Sequence, residues 1–74
     1  MHSVRIGDGK GTDYEVKVAR TGLVTVDEVV GKKQRSLLST ITVKPTATMF
    51  PAAVGERIVA AIAEGRAVLG QVAS

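Results

Sequence analysis

Seventy-four residues make one small domain, and 45% hydrophobic residues supply enough apolar surface for a core, although a single Phe and a single Tyr stand among them. Ten Lys and Arg against seven Asp and Glu leave a net charge of +3, a mild excess rather than the clustered basic face of a nucleic-acid binder. With no cysteine in the chain, a disulfide or thiolate-metal staple is excluded; no apolar run approaches the roughly eighteen residues of a membrane span, and Met1-His2-Ser3-Val4-Arg5 lacks the apolar stretch of a signal peptide.

In chain order, Val4-Arg5-Ile6 opens a strand over 3–7. The glycines of Gly7-Asp8-Gly9-Lys10-Gly11-Thr12-Asp13 alternate, which neither a helix nor a strand interior tolerates well, so this is a hairpin loop. Beyond it Tyr14, Val16 and Val18 share one face and Glu15, Lys17 and Ala19 the other, the period-2 pattern of a half-buried strand over 14–20. Arg20-Thr21-Gly22 reads as a turn, and Leu23-Val24-Thr25-Val26 as a third strand over 23–27.

Residues 27–36 read as an exposed excursion, with Asp27 suited to cap a short helical turn, Gly31 opposed to a long one, and the basic tetrad Lys32-Lys33-Gln34-Arg35 at its end. A fourth strand is expected over 38–44, with Leu37, Ser39, Ile41 and Val43 on one face and Thr40, Thr42 and Lys44 on the other, ended by Pro45. Residues 45–51 form a Pro-flanked linker, and Pro51 suits the first turn of a helix. Val54, Ile58, Ala61, Ile62, Gly65, Leu69 and Val72 then recur at spacings of three and four, an amphipathic stripe that predicts a helix from about 52 to 64. Gly65 can end that helix, which leaves 65–74 open among helix, strand and tail.

These elements predict one α+β domain over 1–74: an antiparallel β-meander over 1–44, the linker, and a C-terminal amphipathic helix and tail over 52–74. Val4, Ile6, Tyr14, Val16, Val18, Ile41, Val43, Val54, Ile58 and Ile62 are the expected core. A Val- and Ala-rich domain with few aromatics and no staple is expected to bury surface against neighbours, as a homo-oligomer or in a multi-copy assembly.

The glycine loop does not fit a phosphate site. A dinucleotide fingerprint needs its glycines before a helix, and here a strand follows; a P-loop needs Ser or Thr after its lysine, and Gly11 follows Lys10. The run Asp8 to Asp13 approaches one turn of a glycine-rich calcium repeat, but those work only in tandem, and Lys10 sits among the would-be ligands. Plain turn chemistry accounts for it better, as a flexible hairpin tip. His2 has no partner at metal or catalytic spacing and is expected to be exposed and idle. Ser36, Ser39, Thr40 and Thr42 have no histidine base nearby, and no acid pair is convincing. The sequence therefore predicts no enzyme, no cofactor and no metal. Its candidate contact residues are Gly7, Asp8, Gly9, Lys10 and Gly11, a loop whose glycines let the backbone approach a neighbour closely, with Lys32, Lys33 and Arg35 as a basic patch. The plainer account of that patch is a solvated loop, and it has no aromatic neighbour to stack on a base.

Val4-Arg5-Ile6-Gly7-Asp8-Gly9-Lys10-Gly11, continued by Tyr14-Glu15-Val16-Lys17-Val18 and by Arg20-Thr21-Gly22-Leu23-Val24-Thr25-Val26, resembles the opening of small tailed-bacteriophage virion structural proteins. Those begin with a strand, an Asp-Gly-x-Gly loop, an alternating strand, a tight turn and a third strand. The resemblance covers about the first third of the chain and ends at residue 27. It implies a virion subunit, assembled in the host cytoplasm: a capsid cement or decoration protein, or a connector-type protein, touching major capsid, neck or tail subunits. It supplies no catalytic residue. A small basic nucleic-acid-binding or regulatory protein is the alternative.

Overall fold

The computed structural model describes residues 1–41 and 44–70. Four strands, β1 (His2–Gly7), β2 (Thr12–Val18), β3 (Val24–Val30) and β4 (Lys33–Thr40), precede a 3-10 turn at Ala47–Met49 and a helix, α1 (Gly55–Val68). Each strand pairs antiparallel with the next, in the spatial order β1-β2-β3-β4. The fold is α+β, a small antiparallel meander with a C-terminal helix.

Alternation sorts the sheet into two faces. Val16 lies opposite Val26 and Val18 opposite Val24, and all four are buried with Tyr14 on the inner face. The outer face is charged. Glu15 accepts from Arg5 at 3.3 Å and lies 3.1 Å from the Lys17 ammonium. The hydrogen bond and charge of Lys17, together with Arg5, hold the Glu15 carboxyl below its ordinary range against a smaller opposing push from desolvation.

Helix α1 packs on β1 and β2 through Ile58, Ala61, Ile62 and Gly65, and Val54 and Phe50 close the core beside it. Gly65 does not end the helix as its composition suggests. It lies where α1 comes nearest the sheet: a Cβ there would sit 2.8 Å from Val18 Cγ2 and 3.1 Å from His2 Cδ2. The helix instead starts at Gly55, after a turn in which Val54 and Gly55 donate to the Pro51 carbonyl, and it stops before Gly70. Gly70 takes φ +76° and donates to the Ala67 carbonyl, the usual left-handed ending. His2, expected to be exposed, is half-buried against this contact, and its Nε2 is buried without a hydrogen-bond partner among the described residues.

The largest correction falls on residues 27–36. They are not an excursion, and Asp27 caps no helix. Asp27 to Val30 finish β3, and Lys33, Gln34, Arg35 and Ser36 begin β4. Val30 pairs with Lys33, so only Gly31 and Lys32 form the turn. Gly31, at φ +59°, holds the first central position, where a type II′ hairpin requires glycine. A glycine that argues against a helix was here the signal for a hairpin.

β4 also ends at Thr40 rather than 44, and its faces differ from simple alternation. Val26 lies opposite Leu38 while Asp27 lies opposite Ser36, so Leu37 is a bulge. The bulge lets Leu37 and Leu38 both pack against the core, and it turns Ser39 outward. Ile41 follows the strand and is 62% exposed, not core. Val4 and Ile6 are partly buried against the core rather than inside it. Thr42, Val43 and Val72 lie outside the described residues.

Candidate functional site

The register gathers the two candidate contact segments. Gly7 pairs with Asp13 across the first hairpin, and Thr12 pairs with Val30 across the second. The glycine loop at 8–11 and the turn at Gly31 and Lys32 therefore lie side by side at one end of the sheet. Nineteen residues of sequence, 12–30, separate the two loops, and two strand spacings separate them in space, about 10 Å.

The glycine loop is a turn closed on Asp8 by hydrogen bonds. Asp8 Oδ1 accepts the backbone N–H of Lys10 at 2.7 Å and of Thr12 at 3.2 Å. The Asp8 N–H donates to the Thr12 carbonyl at 3.0 Å. This is an Asx-type turn, and Gly9 and Gly11 take the positive φ angles of 78° and 95° that it needs. Among the described residues no group of three or more His, Asp or Glu side chains is placed to hold a metal ion.

The basic residues divide by what they touch. Arg35 pairs with Glu28 at 3.1 Å. Lys10, Lys32 and Lys33 are exposed and make no ion pair among the described residues. Arg57 joins the same end from the first turn of α1 by donating through Nη2 to the Gly7 carbonyl. Nothing local in sequence marks that contact, since its partners lie 50 residues apart. Of the basic tetrad, Lys32 alone occupies a loop position; Lys33, Gln34 and Arg35 are strand residues. Gln34 turns to the outer face and donates to Asp27 Oδ2 at 2.8 Å.

Below this end the inner face of the β3–β4 hairpin runs past the helix. Glu28, Val30, Lys33 and Arg35 there line an open hollow of about 460 Å³, and Val30 is 48% exposed. Tyr14 lies next to it, opposite Glu28. Burial pushes the Tyr14 phenol above its ordinary value, and the Glu28 and Asp8 carboxylates add to the shift while Arg35 opposes it. The end of the sheet thus offers a glycine backbone, the three exposed ammonium groups of Lys10, Lys32 and Lys33, and one patch of exposed valine. That set can dock a carboxylate-bearing or phosphate-bearing surface.

No protein-family model matches the chain, and neither curated proteins nor solved structures yield a significant match.

Proposed function

We propose that this protein is a non-enzymatic structural subunit of a tailed-bacteriophage virion, a capsid cement, decoration or connector-type protein that stabilises a symmetric assembly. The observation that carries the reading is the position of the Gly7–Gly11 loop and of Lys32 and Lys33 at the same end of the sheet. Asp8 closes the loop there through two backbone hydrogen bonds, and among the described residues the lysines make no ion pair. A surface of that kind contributes orientation and charge matching to a larger partner rather than bond chemistry. The Arg-Ile-Gly-Asp-Gly-x-Gly resemblance supports the same reading from the sequence side.

The three free lysines also favour a second reading, a small nucleic-acid-binding protein. Two measurements separate the readings. In the first, particles of the host phage are purified and assayed for the chain by mass spectrometry, and the subunit reading expects a fixed multi-copy stoichiometry. In the second, duplex DNA is titrated at low and raised salt. Affinity that is appreciable at low salt and falls steeply as salt rises supports the nucleic-acid reading, and absence of the chain from particles overturns the subunit reading.

A further inference from the structure

Among the described residues, nothing pairs with the β1 edge of the sheet. The bond from the Asp8 N–H to the Thr12 carbonyl sets the phase of the first hairpin. Hydrogen-bonded pairs alternate along an antiparallel ladder, so His2, Val4 and Ile6 point their backbone groups into β2, and Ser3, Arg5 and Gly7 point theirs outward. The Gly7 carbonyl meets Arg57, while among the described residues Ser3 and Arg5 face no strand. β4, the opposite edge, is interrupted by its bulge and starts with Lys33, Gln34 and Arg35, features that discourage pairing. β1 has no bulge, lysine or proline.

The open edge borders a groove of about 460 Å³ between β1 and α1, lined by Val4, Ile6, Arg57, Ala60, Ala61 and Glu64. The helix runs antiparallel to β1, because Arg57 reaches Gly7 while Gly65 lies over His2. The groove is therefore positive at its Gly7 end and negative at its Ser3 end, with alanines between.

The geometry points to a second copy of this chain as the occupant, joined edge to edge across a two-fold axis. An isologous contact brings each patch against itself in reverse. Reversing the helix about the midpoint of Ala60 and Ala61 sets Arg57 opposite Glu64 of the second copy and Glu64 opposite its Arg57. The alanines at the crossing allow the close approach of two helices. The same axis passes near Val4 of β1, so that Ser3 pairs with Arg5 of the second copy, and no arginine faces its own image. Arg57 keeps donors to spare, since a guanidinium carries five N–H groups and the Gly7 carbonyl occupies one. Arg57 and Glu64 do not satisfy each other within one helix: seven residues separate them by about 10 Å along the axis. The product is one eight-stranded sheet with two antiparallel helices on one face.

This deepens the reading of the chain as a multi-copy subunit, and the test keeps the two apart. Sedimentation velocity of the full chain over a dilution series is expected to show a monomer–dimer equilibrium. Arg57→Glu and Glu64→Arg each strike two symmetry-related pairs, so each is expected to weaken the dimer about tenfold. The double exchange, Arg57→Glu with Glu64→Arg, restores complementarity and is expected to recover most of the loss. Arg5→Pro removes an outward N–H without touching the ladder to β2, and it too is expected to dissociate the dimer. Circular dichroism checks that each variant is folded; the charge exchanges lie at exposed positions, so they carry the test if Arg5→Pro does not fold. A monomer at every concentration, a dimer indifferent to the single reversals, or a double exchange that fails to recover each overturns the proposal. A monomer that is still found at fixed stoichiometry in particles overturns the dimer alone and leaves the subunit reading intact.

Discussion

Two glycines and a tyrosine show how single residues govern this fold. A Cβ on Gly55 would stand 2.5 Å from the Ala47 carbonyl oxygen, and one on Gly65 would stand 2.8 Å from Val18 Cγ2. Alanine gains about 1 kcal/mol over glycine in a helix interior, while overpacking costs about 1–3 kcal/mol. Both Gly→Ala substitutions are expected to destabilise, Gly55→Ala more, because its obstacle is backbone and cannot rotate away. Urea melts give the ranking, and a Gly65→Ala protein more stable than wild type would show that the helix has room to lift. Gly65 misleads in sequence because its helix-breaking tendency is local, whereas its contact with Val18 is 47 positions away. Tyr14 gives a pH test. Its folded pKa is raised above the ordinary 10.0, so its contribution to stability is fully present below about pH 10 and is lost as pH rises through the raised value. Tyr14→Phe keeps the packing and removes the ionisation; its melting temperature is expected to fall less than that of wild type between about pH 8 and about pH 11. Equal losses would mean that the phenol ionises as freely in the folded chain as in the unfolded one.

Among the elements, β1, β2, the first half of β3 and most of α1 were legible because periodicity is a local property: Tyr14, Val16 and Val18, then Val54, Ile58, Ala61 and Ile62, mark buried faces unaided. The β3–β4 hairpin was not. Its inner positions past Val26 are Glu28, Val30, Lys33 and Arg35, and charged residues paired across strands carry no apolar alternation. The bulge then offsets the pattern by one at Leu37. Deleting Leu37 separates these effects. It brings Ser36 directly before Leu38, with Asp27 opposite Ser36 and Val26 opposite Leu38 as now. The loss is then the partial burial of one leucine, under about 2 kcal/mol. Deleting Thr25, in a regular stretch, puts either Val24 or Val26 on the outer face and is expected to cost about 2–3 kcal/mol or more. Chemical denaturation of both deletions tests the register. A Leu37 deletion as damaging as the Thr25 deletion would show that the bulge shapes the sheet rather than merely interrupting it.

At the scale of the whole molecule, the two contact segments were legible one at a time and their meeting was not, since strand register alone brings residues 8–11 beside Gly31 and Lys32. That meeting changes which charges matter. Arg35 belongs to an internal pair with Glu28, so reversing it disturbs the hairpin as well as any partner. Lys10, Lys32 and Lys33 form the cleaner set. Each is exposed, and exposed ion pairs contribute no more than about 1 kcal/mol, so changing all three to Glu is expected to leave the melting temperature within a few degrees of wild type. The same change moves the net charge from +3 to −3, with all of it at one end of the sheet. Attachment to an acidic partner surface is expected to weaken by about tenfold or more, chiefly through slower association. Particles stripped of the chain and rebuilt with wild-type or triple-Glu protein provide the measurement. If the triple variant rebinds as well as wild type at physiological salt, the lysines are solvated and the contact lies elsewhere, with the β1 edge as the next surface to block. If it unfolds, the end of the sheet depends on these charges for stability, and the division between pairing residues and free ones is wrong.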